Sequence, residues 1–190
     1  MCSFSRFMSY TYLCCMRKLR MEELPRKTRN EFQEAEKLPV ILLLENIRSM
    51  HNVGSVFRTA DAFLVEGIYL CGFTPRPPHR DIHKTALGAT DTVEWKFAER
   101  PADAVRSLKE SGYKILGVEQ VTDSIPLQHF RLETGDKVVL IFGNEVEGVS
   151  EELLGLCDGC IEIPQFGMKH SLNVSVSAGM VLWELTRSFV

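Results

Sequence analysis

The segment Leu38-Pro39-Val40-Ile41-Leu42-Leu43-Leu44 restricts the fold more than any other part of the chain. It is an apolar run with no polar alternation, as expected of a strand covered on both faces inside a parallel sheet. A strand with one wet face would show a polar residue at every second position. The residues that follow repeat a strand, loop, helix order. Asn46 to Gly54 is polar and contains glycine, and Val56, Ala60 and Phe63 then recur at helical spacing over Ser55 to Phe63. Gly67 to Cys71 reads as a second strand, Thr74 to Pro78 as a loop with few backbone donors, and a short helix follows Asp81. A strand around Val93 to Phe97 comes next. Pro101 then opens a helix over Ala102 to Ser111 that Gly112 ends. Tyr113 to Val118 and Lys137 to Phe142 read as further strands. A last helix is expected from about Leu172 to Ser188, capped by Ser171. Strands alternating with helices give an α/β fold with a mostly parallel sheet and helices on both faces.

A chain of 190 residues suits one domain with a real core. We place that domain at residues 38–190, behind an N-terminal tail and a short basic helical arm at 1–37. Residues 1–15 lack the apolar stretch and cleavage site of a signal peptide, and Met16 reads as a possible biological start. The arm, residues 16–36, reads as helical with a break near Pro25.

No stretch approaches the apolar length of a membrane span. The net charge of −3 argues against a protein that coats nucleic acid non-specifically. Basic residues are nevertheless grouped, at Arg17, Lys18, Arg20, Arg26, Lys27 and Arg29, and again at Arg76, His79, Arg80, His83 and Lys84. Such groups are either solvated surface or contacts for RNA. The cysteines stand at 2, 14, 15, 71, 157 and 160, without the spacing of a secreted disulfide framework, which points to a reducing cytoplasm. Cys157 and Cys160 have zinc-like spacing, but a tetrahedral zinc site needs four ligands and no second pair is present. They read as structural thiols, and no metal is expected. His79 and His83 find no third ligand either.

Three segments are more polar than their surroundings require, and ligand sites in open α/β sheets collect where strands end in loops. In the first, Glu45 to Ala60, Asn52 and Arg58 stand at the mouth and first turns of a helix, an arrangement suited to a phosphate. The second runs from the apolar Val138–Phe142 into Gly143-Asn144-Glu145-Val146-Glu147-Gly148-Val149-Ser150, where glycine lets a flat ligand approach the backbone. The third is Ile161 to Ser177, where a strand ends at Pro164 and a polar loop leads into the last helix. No Gly-x-Gly-x-x-Gly follows the first strand and no Walker loop occurs, which disfavours nicotinamide enzymes and NTPases.

Taken together and in order, Asn52-x-Gly54-x-x-x-Arg58-Thr59, then Gly143-Asn144-Glu145-x-x-Gly148-x-Ser150, then Ile163-Pro164 with Ser171-Leu172-Asn173-Val174-Ser175, resemble the SpoU (TrmH-like) branch of the SPOUT RNA methyltransferases. The resemblance runs from about Leu38 to Val190. It implies a C-terminal deep trefoil knot over Gly143 to Val174, one of the exceptions to unthreaded chains. It also implies transfer of a methyl group from S-adenosylmethionine to a ribose 2′-hydroxyl of tRNA or rRNA. Carried over by position, Gly143, Ile163 and Leu172 hold the cofactor, with Asn144 and Ile141 beside them and Leu116 to Glu119 closing the rim. Arg58 and Asn52 fall on the catalytic pair, and Glu145, Ser171 and Asn173 on the other polar site positions. A plainer role for Ser171 and Asn173 is capping and loop hydrogen bonding. RNA contacts are expected from Arg48, Arg58, Arg26 and Arg29.

A guanidinium keeps its proton in proteins, so Arg58 suits a phosphate clamp and a stabiliser of developing alkoxide charge better than a general base. The resemblance further implies a homodimer through the C-terminal helix and knot region. The face carrying Val176, Met180, Leu182, Trp183 and Leu185, interrupted by small residues, would serve either that contact or the core. Two other readings stand beside this one: a non-catalytic RNA-binding homologue, and a SPOUT enzyme that methylates a base.

Overall fold

The apolar run becomes β1 (Leu38–Glu45), in which every residue except Pro39 is buried. The computed structural model describes residues 17–133, 135–169 and 171–187, so the expectations for residues 1–15 and for a last helical turn at Ser188 lie outside the described residues. The other strands are β2 (Val65–Cys71), β3 (Trp95–Ala98), β4 (Lys114–Val118), β5 (Ile125–Pro126), β6 (Val138–Phe142) and β7 (Gly159–Glu162). They form one sheet in the order β3-β2-β1-β6-β4-β7-β5, with every pairing parallel. β1 sits between β2 and β6, with Leu44 level with Leu70 on one side and Phe142 on the other.

The lack of alternation in β1 has a direct structural cause. Val40, Leu42 and Leu44 face a layer containing Val53, Phe57 and Ala60 of α2 (Met50–Ala62), Ile82 of α3 (Arg80–Ala86) and Val181 of α6 (Val174–Thr186). Ile41 and Leu43 face the other layer, with Val105 and Leu108 of α4 (Pro101–Glu110) and Leu153 of α5 (Glu151–Leu154). Both sides of the pleat are therefore core. Truncating the fully buried Leu42 to alanine is expected to cost about 2–5 kcal/mol.

Several boundaries differ from the sequence reading. α2 begins at Met50 rather than Ser55, because Ser49 caps it by accepting a hydrogen bond from the Asn52 backbone N–H at 3.3 Å. Gly54 is thus helical, not part of a loop. Its missing side chain lets α3 approach, since a Cβ there would collide with the Ile82 carbonyl oxygen and the Thr85 hydroxyl. The basic arm is less helical than expected, with a single 3-10 turn at Met21–Glu23 before Pro25 and the six-residue α1 (Arg29–Glu34) after it. Thr28 and Glu31 cap α1 reciprocally, and Phe32 is its one buried residue. α6 is capped by Asn173, not Ser171: Asn173 Oδ1 accepts from the Ser175 N–H at 2.9 Å. The expected apolar face of α6 also divides. Leu182 and Leu185 are buried, while Val176, Met180 and Trp183 are exposed. β5 and α5 have no counterpart in the sequence reading.

Cys157 and Cys160 pack their sulfurs beside Gly117, and burial pushes the Cys157 thiol up to about 12. No helix among the described residues is long and apolar enough to cross a membrane.

Candidate active site

Parallel strands present all their C-terminal ends on one edge of the sheet, and the three polar segments meet there. At the end of β6 the chain makes a tight loop. Asn144 and Gly148 exchange backbone hydrogen bonds at 2.9 Å, and Gly148 takes a positive φ of 71°. Gly143 lies so close to the Gly148 backbone that a Cβ on it would collide with the Gly148 carbonyl carbon. The buried Asn144 fastens this loop to the one after β1, donating from Nδ2 to the Asn46 carbonyl at 2.7 Å while its Oδ1 accepts from the Val146 N–H at 2.9 Å. Ser150 N–H donates to the buried Glu45 carboxylate at 2.9 Å, a second fastening between the same two segments.

Glu145 carries the linkage further. Its carboxylate accepts from the backbone N–H groups of Arg48 (2.9 Å) and Ser49 (3.1 Å) and from Asn52 Nδ2 (3.0 Å). Asn52 Oδ1 in turn accepts from Asn173 Nδ2 at 3.0 Å, and Asn173 Oδ1 receives both the N–H and the hydroxyl of Ser175. A single chain, Glu145–Asn52–Asn173–Ser175, thus ties together segments that lie up to 121 residues apart in sequence. Partial burial works to raise the Glu145 carboxyl. The N–H groups of Arg48, Glu145 itself and Ser49, with the Asn52 amide, outweigh it and hold the group below the ordinary carboxylate value.

A cleft of about 510 Å³ opens against this assembly, at the ends of β4, β6 and β7. Gly143, Asn144, Glu145, Ile163, Ser171 and Leu172 all line it, together with Phe142, Val118 and Glu119. Glu119 closes one rim, accepting from the Val149 N–H at 3.1 Å. Ile141 is not among the lining residues: it is fully buried in β6 and packs in the layer that holds α4. Asn52 and Asn173 stand behind the Glu145 wall rather than in the lining.

The expected arginines are not gathered at the cleft. Arg58 follows Asn52 by six residues, roughly 9 Å along the helix axis and about two-thirds of a turn further round. It is exposed, makes no ion pair among the described residues, and lines a separate groove of about 790 Å³ with Arg26, Lys27 and Asp61. Arg29 is exposed on α1 but does not line that groove, and the Arg48 side chain is exposed at the entry to α2. The sequence reading missed the fastening roles of Glu45 and Asn46. A positive φ of 54° at the non-glycine Asn46 marks the second, a backbone feature that the sequence does not carry.

Among the described residues the cleft lining includes Glu119, Glu145, Glu147, Glu151 and Glu162 and no lysine or arginine. Such a wall favours a ligand with a cationic centre and repels phosphate.

Solved structures share this fold. The A. aeolicus TrmH/SpoU tRNA modifying enzyme superimposes with a TM-score of 0.74 at 28% identity, covering 84% of this chain and 79% of that one. The AdoMet-bound rRNA methyltransferase from Sinorhizobium meliloti gives 0.74 at 26% identity, covering 85% and 60%. The sheet and its loop cluster therefore define an α/β protein of the SpoU methyltransferase class. The SpoU rRNA Methylase family model matches residues 39–183, and the chain belongs to that family. Among curated relatives, the 23S rRNA (guanosine-2'-O-)-methyltransferase RlmB of Neisseria meningitidis is 37% identical over 152 residues, which is 80% of this chain and 60% of that protein. The chain thus spans about 60% of the length of this relative.

Proposed function

We propose that this chain is an S-adenosylmethionine-dependent RNA methyltransferase that methylates a ribose 2′-hydroxyl of tRNA or rRNA. The observation that carries the proposal is the cleft formed by Gly143, Ile163 and Leu172 and backed by the Glu145–Asn52–Asn173 chain. Its residues fit the cofactor. Gly143 and Gly148 leave room for close backbone approach, Phe142, Ile163 and Leu172 offer apolar walls for a flat ring, and the glutamates suit a sulfonium and an ammonium group. When bound, the cofactor supplies a methyl group already activated for displacement, so the protein has chiefly to align the nucleophile and manage its proton.

Asn52 and Asn173 fix the loops that set this alignment, and Ser171 on the cleft lining is placed to hydrogen-bond a ribose. Arg58 is the phosphate clamp and stabiliser of alkoxide charge, with Arg48, Arg26 and Arg29 as further RNA contacts. Within one chain Arg58 lines a groove separate from the cleft. This favours a homodimer in which a second copy completes the site. The exposed apolar row Val176, Met180 and Trp183 on α6, with Trp183 set edge-on to Phe63 at 6.5 Å, supplies a surface for that contact. The wild-type chain is expected to sediment as a dimer and Trp183→Glu as a monomer without transferase activity. A monomeric, active wild type would remove the dimer from the reading.

The chain from Gly143 to Val174 is proposed to form the trefoil knot, and residues 38–190 the methyltransferase domain behind the basic arm. The free thiols Cys71, Cys157 and Cys160 fit a cytoplasmic location.

The test is methyl transfer from radiolabelled S-adenosylmethionine to total RNA from cells lacking the gene, followed by digestion to nucleosides. Label in a 2′-O-methyl nucleoside, absent with Arg58→Ala, is expected. Label in a base would replace the reading with base methylation, and no label despite cofactor binding would replace it with a binding role.

A further inference from the structure

The loop after β2 carries an exposed aromatic ring and a group of uncommitted positive charges that the proposed cleft does not use. Phe73 is 59% exposed. Three residues on, the Arg76 guanidinium lies over the Phe97 ring, 4.0 Å from its centroid, and Arg80 and Lys84 follow at the surface. Between Phe73 and Lys84 the only carboxylate is Asp81, and none of the three cations forms an ion pair among the described residues.

The loop is held firmly. Phe73 N–H donates to Asn46 Oδ1 at 3.2 Å, and Thr74 Oγ1 donates to the Leu44 carbonyl and accepts from the Ile47 N–H, both at 3.0 Å. Asn46 is the residue whose carbonyl receives Asn144 Nδ2, so this loop and the cleft wall share one anchor. Gly72 has a φ of +63°, and a Cβ there would collide with the Asn46 side chain, so the turn is built to bring Phe73 to this place. Leu70 and Phe142 are level, both paired with Leu44, so the loop emerges from the same sheet edge as the cleft, two strands or about 10 Å away.

We infer that Phe73 is a stacking platform for an unpaired RNA base beside the methylated nucleotide, with Arg76, steadied on Phe97, holding the adjoining phosphate. This rests on the RNA methyltransferase reading and adds where the substrate strand runs. An exposed ring on a loop anchored in advance loses little entropy when a base stacks on it. Single-stranded RNA is recognised by stacking on aromatic rings and on guanidinium planes. The glutamate-lined cleft repels the backbone, whereas the Arg76 to Lys84 side attracts it.

The test measures retention of an end-labelled, mixed-sequence single-stranded RNA on filters by the full chain, with S-adenosylmethionine affinity measured by calorimetry on the same samples. Phe73→Ala and Phe73→Leu are expected to weaken RNA binding about tenfold, the loss of one base–aromatic stack, while Phe73→Trp retains it. Arg76→Ala is expected to reduce the slope of log affinity against log salt by about 0.7, the signature of one lost phosphate contact on a single strand. Cofactor affinity stays at the wild-type value in all four. If the wild type binds RNA and Phe73→Ala binds it equally well, the stacking platform is overturned and the RNA reading survives. If the wild type binds cofactor but no RNA, both fall.

Discussion

Asn52→Ala isolates the link on which the site depends. Asn52 donates to the Glu145 carboxylate and accepts from Asn173, and alanine removes both bonds while leaving Glu145 its two backbone donors and Asn173 its cap on α6. A hydrogen bond to a charged group contributes about 1.5–3 kcal/mol and a neutral one about 0.5–1.5 kcal/mol. Asn173 is exposed and Asn52 half-buried, so water replaces part of each and the low ends apply, together about 2 kcal/mol. Alanine is also the better helix former, and in the first turn of α2 it offsets at most roughly 0.6 kcal/mol. The net loss is about 1.5 kcal/mol, a fall in Tm of roughly 3–6 °C for a chain of this size. Scanning calorimetry measures it, and a double-mutant cycle with Glu145→Ala is expected to show a coupling of about 1 kcal/mol. A Tm unchanged or raised, as helix propensity alone dictates, would refute the linkage, as would costs that simply add in the cycle.

The Glu145 carboxyl lies below its ordinary value in the folded chain, so its contribution to stability is complete above the unfolded pKa of about 4.3 and lost as the pH falls through the lower folded value. The Tm difference between wild type and Glu145→Gln is therefore expected to be constant from neutral pH down to about 5 and to narrow below about 4; a difference that widens in acid contradicts the assignment. Gly143→Ala forces a Cβ into the Gly148 backbone and is expected to cost about 2–3 kcal/mol and to abolish binding of S-adenosylmethionine in calorimetry; unchanged cofactor affinity would remove Gly143 from the site.

The fold was legible where burial and composition agree. Leu38 to Leu44 reads directly as a doubly covered strand because both faces meet apolar helices, and Pro101 marks the first turn of α4 because its missing N–H needs no partner there. The loops that supply Gly143, Glu145, Ile163 and Leu172 were legible through their joint resemblance to a family and not through periodicity. What the sequence concealed is of another kind. Gly54 looks like a loop residue until α3 is seen against it, and Ser171 looks as good a cap as Asn173 until the Asn52 amide is seen to orient Asn173. Val176, Met180 and Trp183 carry the same apolar signal as Leu182 and Leu185, yet only the latter two are buried. Hydrophobicity alone does not separate a core from an exposed face.

The charge of −3 is a poor guide to nucleic-acid binding because it sums over the whole chain, in which groups of opposite sign lie apart. The ends of β4, β6 and β7 and the segments just after them bring Glu119, Glu145, Glu147, Glu151 and Glu162 to the cleft, with Lys169 further along outside its lining, and the segments after β1 and β2 bring Arg48, Arg76 and Arg80 to the surface. The division follows the strand order, since β1 and β6 are neighbours in the sheet and the boundary falls between them. Glu145 sits at that boundary. Its charge is taken up by the N–H groups of Arg48 and Ser49 at the start of α2, the point where a helix N-terminus favours an anion. On the proposed reading, an RNA strand that follows the positive half meets the acidic half at this neutralised corner, where a ribose can turn toward the cleft while its phosphates stay outside it. Raising the salt concentration should on this account weaken RNA binding steeply, because several phosphate contacts each release counterions, and weaken S-adenosylmethionine binding far less, because that ligand carries a single net positive charge.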